Sequence, residues 1–170
     1  HLDNNMQRNG YVSVSVSRFK DYHKTTDEKL YSDWLCVANA KKNLLTNVGR
    51  DAFHTLNYIN DDSVVPSRGF GCIALTESAI TPAVSDTILS GEILVNGLNR
   101  TDAITKTHSA ASSVSTVEHT FTAGAAFATV RGTGLFNAMT TGILSHIATF
   151  TSVALATFDQ LKITFTLNLA

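Results

Sequence analysis

The last strand-like stretch of the chain places the tightest limit on its fold. Leu161, Ile163, Phe165, Leu167 and Leu169 alternate with Lys162, Thr164, Thr166 and Asn168. Successive side chains of an extended backbone point to opposite faces, so this spacing predicts a strand with one buried face. The same spacing recurs near the start, where Val12, Val14 and Val16 alternate with Ser13, Ser15 and Ser17 across Tyr11 to Phe19.

Between these ends the chain reads as a succession of short strands. Lys20 to Lys29 is charged and polar, a loop or linker, and Leu30 to Ala40 is a second extended segment carrying Tyr31, Trp34, Leu35 and Val37. Lys41 to Ile59 is the one helical stretch: Leu44, Leu45, Val48, Ala52, Phe53, Leu56 and Ile59 recur near the helical period. Thr46 and Asn47 are candidate N-caps, which starts the helix at about 46 and leaves Leu44 and Leu45 to end the strand before it. Asn60 to Ser63 and then Pro66 end the helix near 59. From Gly69 onward the predicted strands are Phe70 to Thr76, Glu92 to Leu98, Thr101 to His108, Val114 to Thr122, Phe127 to Phe136, Gly142 to Phe150 and Gln160 to Leu169. Glu77 to Leu89, with Pro82 and Asp86, reads as an ordered surface loop. Short strands with Gly, Ala, Ser, Asn or Asp between them point to a sandwich or barrel rather than βαβ units. The expected fold is therefore mainly β: an antiparallel, jelly-roll-like β-sandwich over 41–170, one amphipathic helix at its edge or end, and an N-terminal arm with extended segments over 1–40.

Composition narrows the function. The 170 residues fit one domain, or one domain plus an arm. Thirteen Lys and Arg against fourteen Asp and Glu give a net charge of −1, which argues against a dedicated nucleic-acid binder. No apolar run approaches the roughly 20 residues of a membrane-spanning helix, and neither nucleic acid nor membrane is expected as a partner. No basic region followed by an apolar one is visible over His1 to Gly10, so no secretory signal is read there. Only 16% of residues are charged, and the polar ones are mostly Ser, Thr and Asn. Such a surface suits strands, and it is common where subunits pack, because interface cores are depleted in Lys, Glu and Asp. The plainer reading of the same bias is a Thr-rich monomer.

Catalytic signatures are missing. There is no G-x-S-x-G elbow, phosphate-cradling glycine loop or H-E-x-x-H, and adjacent Asp61 and Asp62 point apart in extended chain. His108 and His119 lie on neighbouring predicted strands, but Glu118 and His119 face opposite sides, and no third zinc ligand is spaced to match. No catalytic, cofactor-binding or metal residue is expected. Cys36 and Cys72 stand in apolar surroundings and read as free buried thiols, with spacing alone leaving a disulfide open. Tyr31 and Trp34 read equally as partner anchors or as core. Asn99-Arg100-Thr101 matches a glycosylation sequon of a kind that chance supplies often, and Gly49-Arg50-Asp51 reads as a solvated helix face.

A resemblance enters from Lys42 onward. It is carried by Lys42-Asn43-Leu44-Leu45-Thr46-Asn47-Val48-Gly49-Arg50-Asp51, Ile73-Ala74-Leu75-Thr76, Thr81-Pro82-Ala83, Ser85-Asp86-Thr87, Leu89-Ser90-Gly91-Glu92-Ile93 and Gly97-Leu98-Asn99-Arg100. It continues through Gly134-Leu135-Phe136-Asn137-Ala138 and Asp159-Gln160-Leu161-Lys162-Ile163-Thr164-Phe165-Thr166-Leu167. In order and spacing this succession resembles small β-sandwich virion proteins of tailed bacteriophages, found among head-decoration, tail and fibre-associated proteins. The resemblance implies a non-enzymatic virion protein that decorates or cements the capsid as a homo-oligomer, with copies of itself and the major capsid protein as partners. Residues 1–40 carry none of it. An arm of that kind suggests a docking role: Val12, Val14 and Val16 as a strand added to a neighbour's sheet, or as an ordinary edge strand of their own domain. The interaction candidates are thus Val12, Val14, Val16, Tyr31 and Trp34. Two alternatives are a receptor- or glycan-binding module of a tail fibre or spike, using Trp34, Tyr58 or Phe70, and a filament-forming surface protein. An enzyme comes third, behind the decoration protein and the receptor- or glycan-binding module.

Overall fold

The three valines of the first alternating stretch are completely shielded from solvent, and they are shielded by their own chain. In the computed structural model, which describes residues 10–23, 28–54 and 69–168, they lie on β1 (Tyr11–Ser17), paired on both sides. The other strands are β2 (Phe19–His23), β3 (Glu28–Tyr31), β4 (Leu35–Lys42), β5 (Leu44–Leu45), β6 (Cys72–Thr76), β7 (Thr101–Asp102), β8 (Thr105–His108), β9 (Val114–Thr122), β10 (Phe127–Phe136), β11 (Leu144–Leu155) and β12 (Gln160–Asn168). One helix, α1 (Asn47–His54), follows β5.

The strands form two antiparallel sheets stacked as a sandwich. The first has the order β4-β1-β12-β9-β8, the second β5-β11-β10-β6-β7, and β2 and β3 make a separate hairpin. Between the sheets, Val12, Val14 and Val16 meet Leu161, Ile163 and Phe165 of β12, Val117 and Phe121 of β9, and Ile73, Leu75, Leu135, Phe150 and Val153 of the second sheet. Period-two strands in both sheets supply this core, because each sends every second side chain inward.

A second, smaller core lies on the far side of the second sheet. Cys72, Ala74, Phe136, Leu144 and Ile147 point outward there and are covered by Leu89, with Ile80 and Leu44 beside them. The cover is the segment 77–100, fastened by Arg100. Its guanidinium pairs with Glu92 at 2.6 Å, lies 3.5 Å from the Phe136 ring centroid, and donates to the carbonyls of Ala138 and Thr141. The helix lies on the same sheet. Thr46 is its N-cap, with Oγ1 accepting from the Gly49 amide at 3.1 Å. Gly49 sits so close to β11 that a Cβ there would come within 2.5 Å of the Ser145 backbone.

Several expectations need correction. Among the described residues of 1–40, β1 and β4 are strands of the first sheet rather than a separate arm, and Val12–Val16 are paired within the chain on both edges, which leaves no edge of β1 for a neighbour's sheet. For the same reason β1 is not an edge strand. Lys20 to Lys29 contains parts of a hairpin rather than only a loop. Glu92 to Leu98 is not a strand; it makes one bridge, Thr76 to Glu92, and then turns through Asn96 and Gly97, both with positive φ. Thr101 to His108 breaks in two, with β7 in the second sheet and β8 in the first, because Ala103 is buried and Ile104 is turned out at the crossing. The helix ends its described span at His54; the rest of the predicted helix, 55–59 with Tyr58, lies outside the described residues, as do Asp61 and Asp62.

Candidate functional site

The two outer faces of the sandwich differ. That of the second sheet is covered by α1 and by segment 77–100. On the first sheet, the alternation that turns the valines of β1 inward turns Tyr11, Ser13 and Ser15 outward, and Lys162, Thr164 and Thr166 join them from β12. Registered pairing continues these rows onto β9: Thr166 stands opposite Thr116, Thr164 opposite Glu118, and Lys162 opposite Thr120. Thr107 of β8 extends the first row and hydrogen-bonds the Thr116 hydroxyl.

Two contacts organise this face. The Thr164 hydroxyl donates to Glu118 Oε2 at 2.6 Å, holding the one carboxylate among these rows. The Lys162 ammonium lies 4.8 Å from the centroid of the Trp34 ring. Lys162 is on β12 and Trp34 immediately precedes β4, so the pair reaches over β1, which runs between those two strands. Trp34 nevertheless keeps 42% of its surface exposed, and Tyr11 keeps 41%.

The sequence candidates therefore separate. Val12, Val14 and Val16 are core. Tyr31 is half-buried, its ring edge-on to Phe19 at 6.0 Å, with Phe19 in turn 5.3 Å from Phe158. Trp34 is the exposed one. Phe70 is half-buried against Phe53, ring centroids 5.1 Å apart. Cys36 corrects its expected burial: it is exposed on β4, while Cys72 is buried, and no disulfide joins them. Arg50 and Asp51 form an exposed pair on the helix surface.

The histidines occupy three different environments. His108 is exposed, with Nδ1 near the Ser115 hydroxyl and the Val114 carbonyl, both at 3.1 Å. His119 packs edge-on against Phe121 with ring centroids 4.7 Å apart, and burial lowers its pKa against the opposing pull of Asp102. His146 lies buried between β11 and α1, edge-on to Phe53, and burial lowers its pKa to about 4. Among the described residues no group of three His, Cys, Asp or Glu is placed to hold a metal ion.

One cavity, of about 380 Å³, opens beside β6 and β7. It is lined by Phe70, Cys72, Asp102, Lys106 and Asn137, among others. Lys106 Nζ is 2.7 Å from Asp102 Oδ1, so the cavity's acid and base neutralise each other, and Cys72 Sγ is 3.9 Å from the same carboxylate oxygen. Among the described residues, no helix is long and apolar enough to cross a membrane.

The polar half of the β12 alternation announced an outward face but not its neighbours. The stacking of Lys162 on Trp34 joins residues far apart in the chain, and nothing in either local stretch points to it. No protein-family profile, curated protein or solved structure matches the chain significantly.

Proposed function

We propose that this chain is a non-enzymatic structural protein of a tailed-phage virion, one that decorates or cements the capsid as a homo-oligomer in contact with the major capsid protein. The observation carrying this reading is the way segment 84–104 presents apolar side chains. Leu89, Ile93, Leu98 and Ala103 anchor the segment by burial, while between them Ile88 and Leu94 (each 71% exposed), Ile104 (75%), Val84 and Val95 stand in solvent. An apolar side chain on a loop held at alternate positions loses little further freedom on docking, so it suits a permanent contact between subunits.

The residues behind the phage resemblance support the same reading from another direction. Glu92 and Arg100 form the clamp, Leu98 is buried, and the Asn137 side chain accepts the Ile143 amide at 2.7 Å. Asp159 accepts from Arg18, from the Phe19 amide and from the Ala156 amide. These residues build a stiff scaffold, which is what a virion subunit requires.

Sedimentation velocity over a range of protein concentrations tests the proposal. Reversible or stable oligomers are expected, and Ile88→Lys combined with Leu94→Lys should return the protein to a monomer with its melting temperature preserved. A strict monomer at high concentration would remove the homo-oligomer. Imaging of native particles then decides the location: copies at icosahedral lattice positions agree with decoration, whereas helical order or a place on a tail fibre does not.

A further inference from the structure

We infer that the outer face of the first sheet binds an extended, neutral polysaccharide chain lying along β1 and β12 between the rings of Tyr11 and Trp34. This reading rests on a different surface from the apolar segment above and stands or falls independently of the virion proposal.

The argument begins with what projects from the face. Apart from Tyr11, the outward side chains of β1 and β12 are Ser13, Ser15, Gln160, Lys162, Thr164, Thr166 and Asn168, while Ser17 is buried and donates to the Ser32 carbonyl. Tyr11 stands opposite Thr166, and Trp34 stacks with Lys162, which stands opposite Ser15. Leu35 stands opposite Val16, so Trp34, the residue before it, lies more than five residue steps from Tyr11 along β1, a span of roughly 17–20 Å at the usual rise of a strand. An aromatic ring gives the C–H face of a sugar a flat apolar partner, and the hydroxyl, amide and carboxylate groups between the rings donate to and accept from sugar hydroxyls.

Charge selects among polymers. The face holds one acid, Glu118, and two bases, Lys162 and, on β4 opposite Tyr11, Lys42; Glu118 is engaged by the Thr164 hydroxyl and Lys162 by the Trp34 ring. With one base in excess and long rows of hydroxyls, the face suits a neutral polyhydroxylated chain and gives little counter-charge to a polyanion such as nucleic acid. Its shape selects length. A sheet surface takes a chain along its strands, whereas a single sugar would need a pocket. Lys162 also holds the Trp34 ring in place before any ligand arrives, which lowers the ordering cost of binding. A second copy of the chain is the poorer occupant, because the exposed aliphatic side chains of segment 84–104 belong to the loop covering the other sheet, and this face offers few apolar atoms beyond its two rings.

The chain contains a single tryptophan, so its emission reports on this platform directly. The full-length protein would be titrated with cellohexaose and chitohexaose, and run in native gels containing hydroxyethylcellulose, a β-1,3-glucan or galactomannan. A shift of Trp34 emission with at least one oligosaccharide, and retardation in at least one gel, are expected. Trp34→Ala and Tyr11→Ala should each weaken retardation at least tenfold, and Trp34→Phe should restore most of it, all three melting as cooperatively as the parent. If Trp34→Ala fails to fold, Tyr11→Ala against Tyr11→Phe carries the same comparison. Unmoved emission with unchanged mobility in every gel overturns the inference. So does retardation that survives both alanine variants. Self-association that disappears in these variants without any polysaccharide binding also overturns it, and assigns the face to a second copy.

Discussion

His146 shows how one side chain ties packing to pH. Its neighbours are the Ser145 hydroxyl, 3.1 Å from Nδ1, and the edge-on ring of Phe53. Neither rewards a positive charge, so burial lowers its pKa from 6.5 to about 4. A lowered histidine pKa means that the unfolded chain binds the extra proton first. The stability contributed by neutral His146 is thus complete above pH 6.5 and drains away as pH falls toward 4. At about 1.4 kcal/mol per unit the loss is on the order of 3 kcal/mol, and urea midpoints taken across that window should show it. Replacing His146 with Phe should flatten the profile between those limits; a profile that keeps its slope would assign the effect elsewhere. Asp159 acts in a separate, more acidic window. Burial pushes its carboxyl up, but the Arg18 hydrogen bond, the Ala156 and Phe19 amides and the Arg18 charge outweigh this and hold it below 3.8. Its contribution is therefore lost only as pH falls through that lowered value.

Segment 77–100 behaves as an element although most of it is neither helix nor strand. It lies on the second sheet through Ile80 and Leu89, pairs once with β6 through Glu92, and hands its end to β7 through Arg100. Arg100 and Glu92 are both largely shielded, with side-chain exposures of 9% and 17%. Removing one partner of a shielded pair strands the other, and such losses run at about 3–5 kcal/mol. Arg100→Ala is expected to cost about 3 kcal/mol in chemical denaturation, taking away the guanidinium over Phe136 as well. Replacing Arg100 and Glu92 together by Met and Gln should cost less than Arg100→Ala alone, since no charge is left unpartnered. A double variant as unstable as the single one would show that the ion pair is not what holds the segment. α1 depends on contact in a similar way. Its eight residues are too few to be stable alone, and it holds its place because Gly49 lets its backbone approach Ser145.

Taken as a molecule, the sandwich has one flat, polar, ring-flanked side and one side clothed by a loop carrying exposed aliphatic residues. These two surfaces call for different partners and answer differently to solvent. If copies associate through Ile88, Leu94 and Ile104, burial of apolar area drives the contact, and ionic screening does little to it. Sedimentation should therefore report the same oligomer in 0.1 M and 1 M sodium chloride. Dissociation at high salt would point instead to the charged groups. The low charge of the chain fits this picture, because few Lys, Glu or Asp residues have to be desolvated when subunits meet.

Much of this architecture could be read directly from the order of residues. The alternation in β1 and β12 identified their buried faces, and β9 and β10 begin and end where the hydrophobic pattern begins and ends. Thr46, placed before an amphipathic run, marked the start of α1. Such features are local: the period of a strand and the chemistry of a cap act within a few residues. Other features depend on what the rest of the chain brings close. Ala103 turns in and Ile104 out because two sheets meet there, and Glu92–Leu98 abandons the strand its composition favours to follow the turn at Asn96 and Gly97. Val12–Val16 read as an arm until β4 and β12 flanked it, and Trp34 became half of an exposed platform only when β12 carried Lys162 across β1. Local periodicity determines which side of each strand is buried; which strands become neighbours, and so which outward side chains share a face, is decided by the packing of segments distant in sequence.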